Sequence, residues 1–165
     1  MSDGGSASVR RVEAALAAHG ISDRIVTLAD TARTAEDAAR ACAVPVGAIV
    51  KSMLFEVAGT PVLALIAGDR RGDLGALAIA LGETGEATRC NAARVREVTG
   101  FAIGGVAPVG HLRPLPIVID DSLDRFERLF AAAGHPHRVF ATSFGELVDL
   151  TGGTVATVGR SGDQP

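Results

Sequence analysis

Apolar positions recur along this chain first at helical and then at strand spacing. Val9, Val12 and Leu16 fall on one side of a helix expected over 8–19, closed by Gly20. A short strand is expected over 24–28. Thr34 with Asp37 makes a capping box that opens a second helix to about Cys42, stopped ahead of Pro45. From Ile49 the period becomes two. Ile49, Lys51, Met53, Phe55 and Val57 share one strand face, and Val50, Ser52, Leu54 and Glu56 share the other. A turn at Gly59, Thr60 and Pro61 sends the chain back through 62–67, predicting a hairpin.

Further on, Asp73 caps a helix to about Leu81, closed by Gly82, and a strand is expected over 86–90. Asn91 caps a helix ending at Gly100, and 117–120 is a strand. The segment 123–133 reads as helix by composition and as strand by its downstream neighbours. An extended segment over 138–142 precedes a second capping box at Ser143 and Glu146, a short helix to Leu150 and a last strand over 155–158. Hairpins mixed with unevenly spaced helices predict an α+β fold with a mixed or antiparallel sheet, since a doubly wound sheet would alternate more strictly. Residues 8–158 then form one domain, with disordered ends over 1–7 and 159–165.

Composition narrows the function classes. The chain has 165 residues, 47% of them hydrophobic, with six Phe and no Trp or Tyr, so its core is aliphatic. No apolar run is long enough for a membrane span, and no secretory signal is visible at the N-terminus. Cys42 and Cys90 lack metal-ligand spacing and read as buried thiols of a cytoplasmic protein. A net charge of −3 and a pI near 5.8 argue against a grip on long nucleic acid, DNA included, while leaving contact with a strand end open.

Two features invite chemistry. The stretch GFAIGGVAPVGHLRPLP, residues 100–116, holds four glycines and three prolines. It spells neither phosphate-binding fingerprint, and prolines rather than a helix come after it, so no helix dipole is available to a nucleotide. The remaining readings are a loop whose amides could face a carbonyl or an oxyanion, or else a tight corner between strands. The second feature is Lys51. Among sixteen basic residues it is the one lysine, set on an otherwise apolar strand face. Where any positive charge would serve, this chain uses Arg; Lys offers a compact charge with a tunable pKa. An inward lysine that guards a strand edge is the bland alternative. His135 and His137 make only half a metal site, so no metal is expected. Arg70, Arg71, Arg89, Arg94 and Arg96 read as solvated charges. Ser52 lies on the face opposite Lys51, which disfavours a Ser–Lys nucleophilic pair. Asp120 and Asp121 read as a cap for the next segment.

The segments TAEDAARACAVPVGAIVKS, IGGVAPVG, IVIDDSL and AAAG together resemble the YbaK/ProX family of aminoacyl-tRNA deacylases, from about Thr34 to Gly152. The resemblance implies a mixed, curled, barrel-like sheet with flanking helices, and so strand over 129–133. It implies a free-standing trans-editing enzyme that hydrolyses the ester of mischarged aminoacyl-tRNA. The expected substrate is tRNA(Pro) carrying alanine or 2-aminobutyrate, bound at its 3′ end without a cofactor. Prolyl-tRNA synthetase is the partner such a role suggests. The resemblance gives the catalytic role to Lys51 and places Gly104, Gly105, Val106, Ala107, Pro108, Val109, Gly110 and Gly134 around the aminoacyl group. Lys51 would hold the terminal adenosine or its phosphate or steady developing charge, with general-base action as a variant, and the substrate's ribose hydroxyl could help activate water. Val109 stands where many members carry Phe. The alternative class is a non-catalytic module of the same fold that binds an aminoacyl-adenosine-like ligand or a partner protein.

Overall fold

Four helices start where the sequence supplies a side-chain oxygen to receive an orphan amide. Thr34 accepts the Asp37 amide ahead of α2 (Ala35–Cys42), and Asp73 accepts the Ala76 amide ahead of α3 (Leu74–Ala80). Asn91 does the same for α4 (Ala92–Thr99) through the Arg94 amide, and Ser143 for α5 (Phe144–Thr151) through the Glu146 amide. The computed structural model describes residues 4–161. Within it, α1 (Gly4–Ala17) starts earlier than the apolar spacing indicates, so residues 4–7 are helical rather than disordered. Residues 1–3 and 162–165 lie outside the described part.

The strands are β1 (Ile25–Thr27), β2 (Ile49–Val57), β3 (Thr60–Ala67), β4 (Arg70–Gly72), β5 (Thr88–Arg89), β6 (Ile117–Asp120), β7 (Leu129–His135), β8 (Arg138–Thr142), β9 (Thr154–Ala156) and β10 (Gly159–Ser161). One curled mixed sheet runs β1-β8-β7-β2-β3-β6-β9, with β5 added to β2, and β4 pairs separately with β10. The segment 123–133 divides into a 3-10 turn over Asp121–Arg125 and strand β7. The hairpin between β2 and β3 turns at Ala58 and Gly59, one residue earlier than expected, with φ of 51° and 83°. Both values are those of a two-residue type I′ turn, whose twist matches the strands it joins.

Side-chain alternation sorts the core onto the two faces of the sheet. Val50, Leu54, Leu63 and Leu65 meet α1, α4 and α5 through Val12, Leu16, Val95, Val98, Leu147 and Leu150. On the other face, Phe55, Val57, Val62, Ala64 and Ile66 meet Leu77 and Ala78 of α3, while Ile49, Phe130 and Val139 meet Ala39 of α2. Asp120 does not cap the 3-10 turn. Its buried carboxylate accepts the Val158 and Gly159 amides at 3.0 and 2.7 Å and the Ser122 hydroxyl. Those bonds anchor the C-terminal segment where it meets β4, and the antiparallel pairing makes Gly159–Ser161 strand rather than a disordered tail. A Cβ at Gly159 would lie 2.6 Å from the Asp120 carboxylate, which accounts for glycine there.

Candidate functional site

A cleft opens where β2 loses a neighbour. Parallel pairing with β7 covers only Ile49 and Val50, and antiparallel pairing with β5 covers only Phe55 and Glu56. Between them, no strand pairs with that edge of β2 over residues 51–54. β7 stops pairing with β2 after Ala131, and its pairing with β8 then shifts register between Ala132 and His135, a bulge that contains Gly134 at φ 93°. Gly134 serves this bend rather than the cleft itself: a Cβ there would sit 2.9 Å from the Ser8 carbonyl oxygen of α1.

The resulting cleft holds about 870 Å³ and wraps around the bare edge of β2, so that side chains from both faces of the strand line it. On one side stand Val50, Ser52 and Leu54, facing Val95, Ile103, Gly104 and Val106. This side is aliphatic apart from Cys90 and Ser52, and the Ser52 Oγ is buried with no hydrogen-bond partner. On the other side stand Lys51 and Met53 with Ala35 and Ala38 of α2 and Phe130 of β7. Arg33 and Arg89 also line the cleft, against one carboxylate, Asp30. Neither guanidinium has a carboxylate partner among the described residues. A chain of net charge −3 thus concentrates uncompensated positive charge at one cleft.

Lys51 is half-buried and donates one Nζ proton to the Arg70 carbonyl, which leaves two donors for a ligand. Burial lowers its pKa, and Arg89 and Arg71 push the same way. Asp69 and Glu36 oppose them, and Asp69 is itself held ionised by its hydrogen bonds to Arg125. The lysine's proton is therefore held less firmly than that of a solvated lysine.

The glycine-rich loop contributes less of its length to the cleft than the sequence suggests. Gly104 and Val106 line it; Gly105, Ala107, Pro108, Val109 and Gly110 do not. Gly105 packs under the β7–β8 turn, where an added Cβ would be 3.0 Å from His135 backbone, and its amide closes a turn onto the Ala102 carbonyl. Ala107, Pro108 and Val109 are buried, and the Ala107 carbonyl accepts from His111 Nε2 at 2.7 Å. The Gly110 and Gly100 carbonyls both accept from the Arg11 guanidinium, at 3.1 and 2.8 Å, with that guanidinium 4.8 Å above the Phe101 ring. Arg11 in α1 is thus the staple of the loop, a role that only the fold reveals.

His137 reaches the cleft and His135 does not; their rings lie 5.5 Å apart, and the His137 amide donates to His135 Nδ1. Among the described residues no three His, Cys, Asp or Glu side chains gather as metal ligands. Arg70 instead lends its carbonyl to Lys51, and Arg94 pairs with Glu56 and Glu97. Arg33 was given no role by the sequence, and Arg89 only that of solvated charge; their place beside Lys51 follows from chain folding.

Residues 29–150 match the family model described as the aminoacyl-tRNA editing domain. A crystal structure provisionally assigned as a trans-editing enzyme for prolyl tRNA synthetase superposes with a TM-score of 0.86 at 41% identity, covering 93% of this chain and 98% of that one. The hypothetical protein APE2540 superposes with a TM-score of 0.83 at 28% identity, covering 91% and 99%. The uncharacterized protein YwhH of Bacillus subtilis (strain 168) is 31% identical over 119 residues, 72% of this chain and 74% of its own. The family match spans the capped helix α2, the hairpin bearing Lys51, the glycine loop and the bulged β7. This chain belongs to the aminoacyl-tRNA editing domain family.

Proposed function

We propose that the protein hydrolyses the ester of tRNA(Pro) mischarged with a small amino acid, alanine or 2-aminobutyrate, as a free-standing editing enzyme of the cytoplasm. One observation carries the reading: the cleft has a cationic side and an aliphatic side, joined at the bare edge of β2. An aminoacylated 3′ end has the same two halves. Its phosphate and adenosine suit Lys51, Arg33 and Arg89, and its short side chain suits Val50, Leu54, Val95 and Val106. The ester between them falls beside residues 51–53. Water adds to the ester carbon, the ribose oxygen leaves with a proton, and free amino acid and uncharged tRNA result.

Lys51 acts in this reading as a fixed cation. Its Nζ donates to the Arg70 carbonyl and the remaining protons of the ammonium face the ligand. Burial and the neighbouring cations lower its pKa, so the direction of the pH profile separates a fixed cation from a water-activating base. The chemistry needs no resident metal or cofactor, and chelation should leave the rate unchanged. Such an enzyme answers a physical limit: a synthetase pocket gains only about 1–3 kcal/mol of discrimination from a missing methylene. Prolyl-tRNA synthetase is the partner whose errors it would correct.

The test is deacylation of alanyl-, 2-aminobutyryl- and prolyl-tRNA(Pro) by the full chain. Cleavage of the first two at least about tenfold faster than the third is expected, a ratio worth roughly 1.4 kcal/mol. Equal rates, or preference for prolyl-tRNA, would overturn the assignment.

A further inference from the structure

The type I′ turn decides which way every peptide unit of β2 points. In a two-residue hairpin the closing pair, here Val57 and Thr60, is a hydrogen-bonded pair. Alternation then directs the main-chain groups of Phe55, Met53 and Lys51 toward β3, and those of Glu56, Leu54 and Ser52 toward the other edge. An independent contact agrees: the Leu54 carbonyl accepts the Cys90 amide at 3.1 Å across that edge. Ser52 therefore turns its N–H and its C=O into the gap where neither β7 nor β5 pairs with β2. Its side chain adds a third polar group, the buried Oγ without a partner. Buried polar atoms in folded proteins are satisfied, and those that are not mark a place for something else.

We infer that the aminoacyl group docks on Ser52 as a one-residue strand. This rests on the proposed function, in which the ligand is an aminoacyl ester. Such an ester carries an amino nitrogen and a carbonyl oxygen on either side of Cα, as a residue of a strand does. The α-ammonium donates to the Ser52 carbonyl and to Oγ, and the ester carbonyl accepts from the Ser52 amide. Facing residues of an antiparallel pair put their side chains on the same side of the sheet. The substrate side chain thus lies beside that of Ser52, among Val50, Leu54, Val95 and Val106, away from Lys51. Charge agrees with this placement, because an ammonium is repelled from the side that holds Lys51, Arg33 and Arg89. As water attacks, negative charge grows on the carbonyl oxygen, and the Ser52 amide becomes its donor. In the glycine loop the Gly105 amide is already engaged with the Ala102 carbonyl.

The experiment uses the 15N-labelled full chain and 3′-deoxy-3′-(L-alanylamino)adenosine, whose amide resists hydrolysis, together with its N-acetyl derivative. The free-amine probe should move the Ser52 amide resonance among the largest shifts. Ser52→Ala should weaken its binding by roughly 3–10-fold, the range for one lost hydrogen bond. The N-acetyl probe should bind wild type and Ser52→Ala alike. Binding that shifts residues 104–110 but leaves Ser52 unmoved, or a Ser52→Ala effect equal for both probes, would overturn the docking mode and leave the proposed function standing. Failure of the probe to bind, with no deacylation of alanyl-tRNA(Pro), would overturn both.

Discussion

The bare edge of β2 and the glycine loop over 100–110 face the same cleft and are built on opposite terms. In the loop, several main-chain groups tie the chain to itself and to α1: Arg11 takes two carbonyls, His111 takes a third, and Gly105 turns onto Ala102. On β2, an ordinary-looking strand leaves one residue's polar groups facing a gap and its hydroxyl unmet. Unusual composition marks where a chain must bend; unfilled hydrogen-bonding capacity marks where it can bind. The two coincide only at the cleft rim, where Gly104 and Val106 meet the β2 side chains.

The largest expected effects break the comparison on the scaffold side. Gly134→Ala puts a Cβ 2.9 Å from the Ser8 carbonyl oxygen at a φ of 93°. It should cost roughly 2–4 kcal/mol of stability by chemical denaturation, from strain and overpacking together. Arg11→Ala removes both carbonyl contacts of the loop and should cost about 1–3 kcal/mol. If either variant kept full stability and lost only activity, Gly134 or Arg11 would belong to the binding surface instead.

Smaller effects sharpen the other side. Arg89→Ala removes a cleft cation without a carboxylate partner among the described residues. It should raise KM about 3–10-fold with kcat little changed, and flatten the dependence of KM on salt, as loss of one phosphate contact would. The pH profile follows from the lowered pKa of Lys51. A cationic role predicts a rate that falls as pH rises through that pKa, and Lys51→Arg should move the fall to higher pH. A rate that rises over the same range would indicate a base. The same shift has a sign for stability. The folded state holds the Lys51 proton less well than the unfolded chain does, so below the folded pKa the charged lysine weakens the fold. That penalty is relieved as pH rises through the folded pKa. Lys51→Met should accordingly match or exceed wild type in Tm at neutral pH, by a margin that shrinks on raising pH.

Much of this fold was written locally. Thr34, Asp73, Asn91 and Ser143 each announce a helix start by a hydrogen bond made within four residues, and the alternation over 49–57 gives both faces of β2 correctly. The order of the last strands was not local. Gly159–Ser161 is strand because it pairs with β4, far back in the chain, beside the anchor at Asp120, and a polar tail carries no mark of those partners. The cleft divides the same way. Lys51 stood out by composition, and Gly104 and Val106 by their loop. Arg33 and Arg89 reach the cleft through folding, and the bare edge exists because β7 stops pairing with β2 after Ala131. Ser52 was assigned correctly to the face opposite Lys51, yet a cleft that wraps a strand edge brings both faces to one ligand.

In the proposed reaction this edge, with Lys51 beside it, is where the ester is hydrolysed. Single-turnover deacylation of alanyl-tRNA(Pro) by wild type and Lys51→Ala, with Tm measured on both, tests that placement most directly. The expected result is a rate loss of at least about 100-fold, the scale of a lost electrostatic contact at a reacting centre, with Tm unchanged or higher. A variant that folds equally well and keeps the wild-type rate would place the chemistry elsewhere.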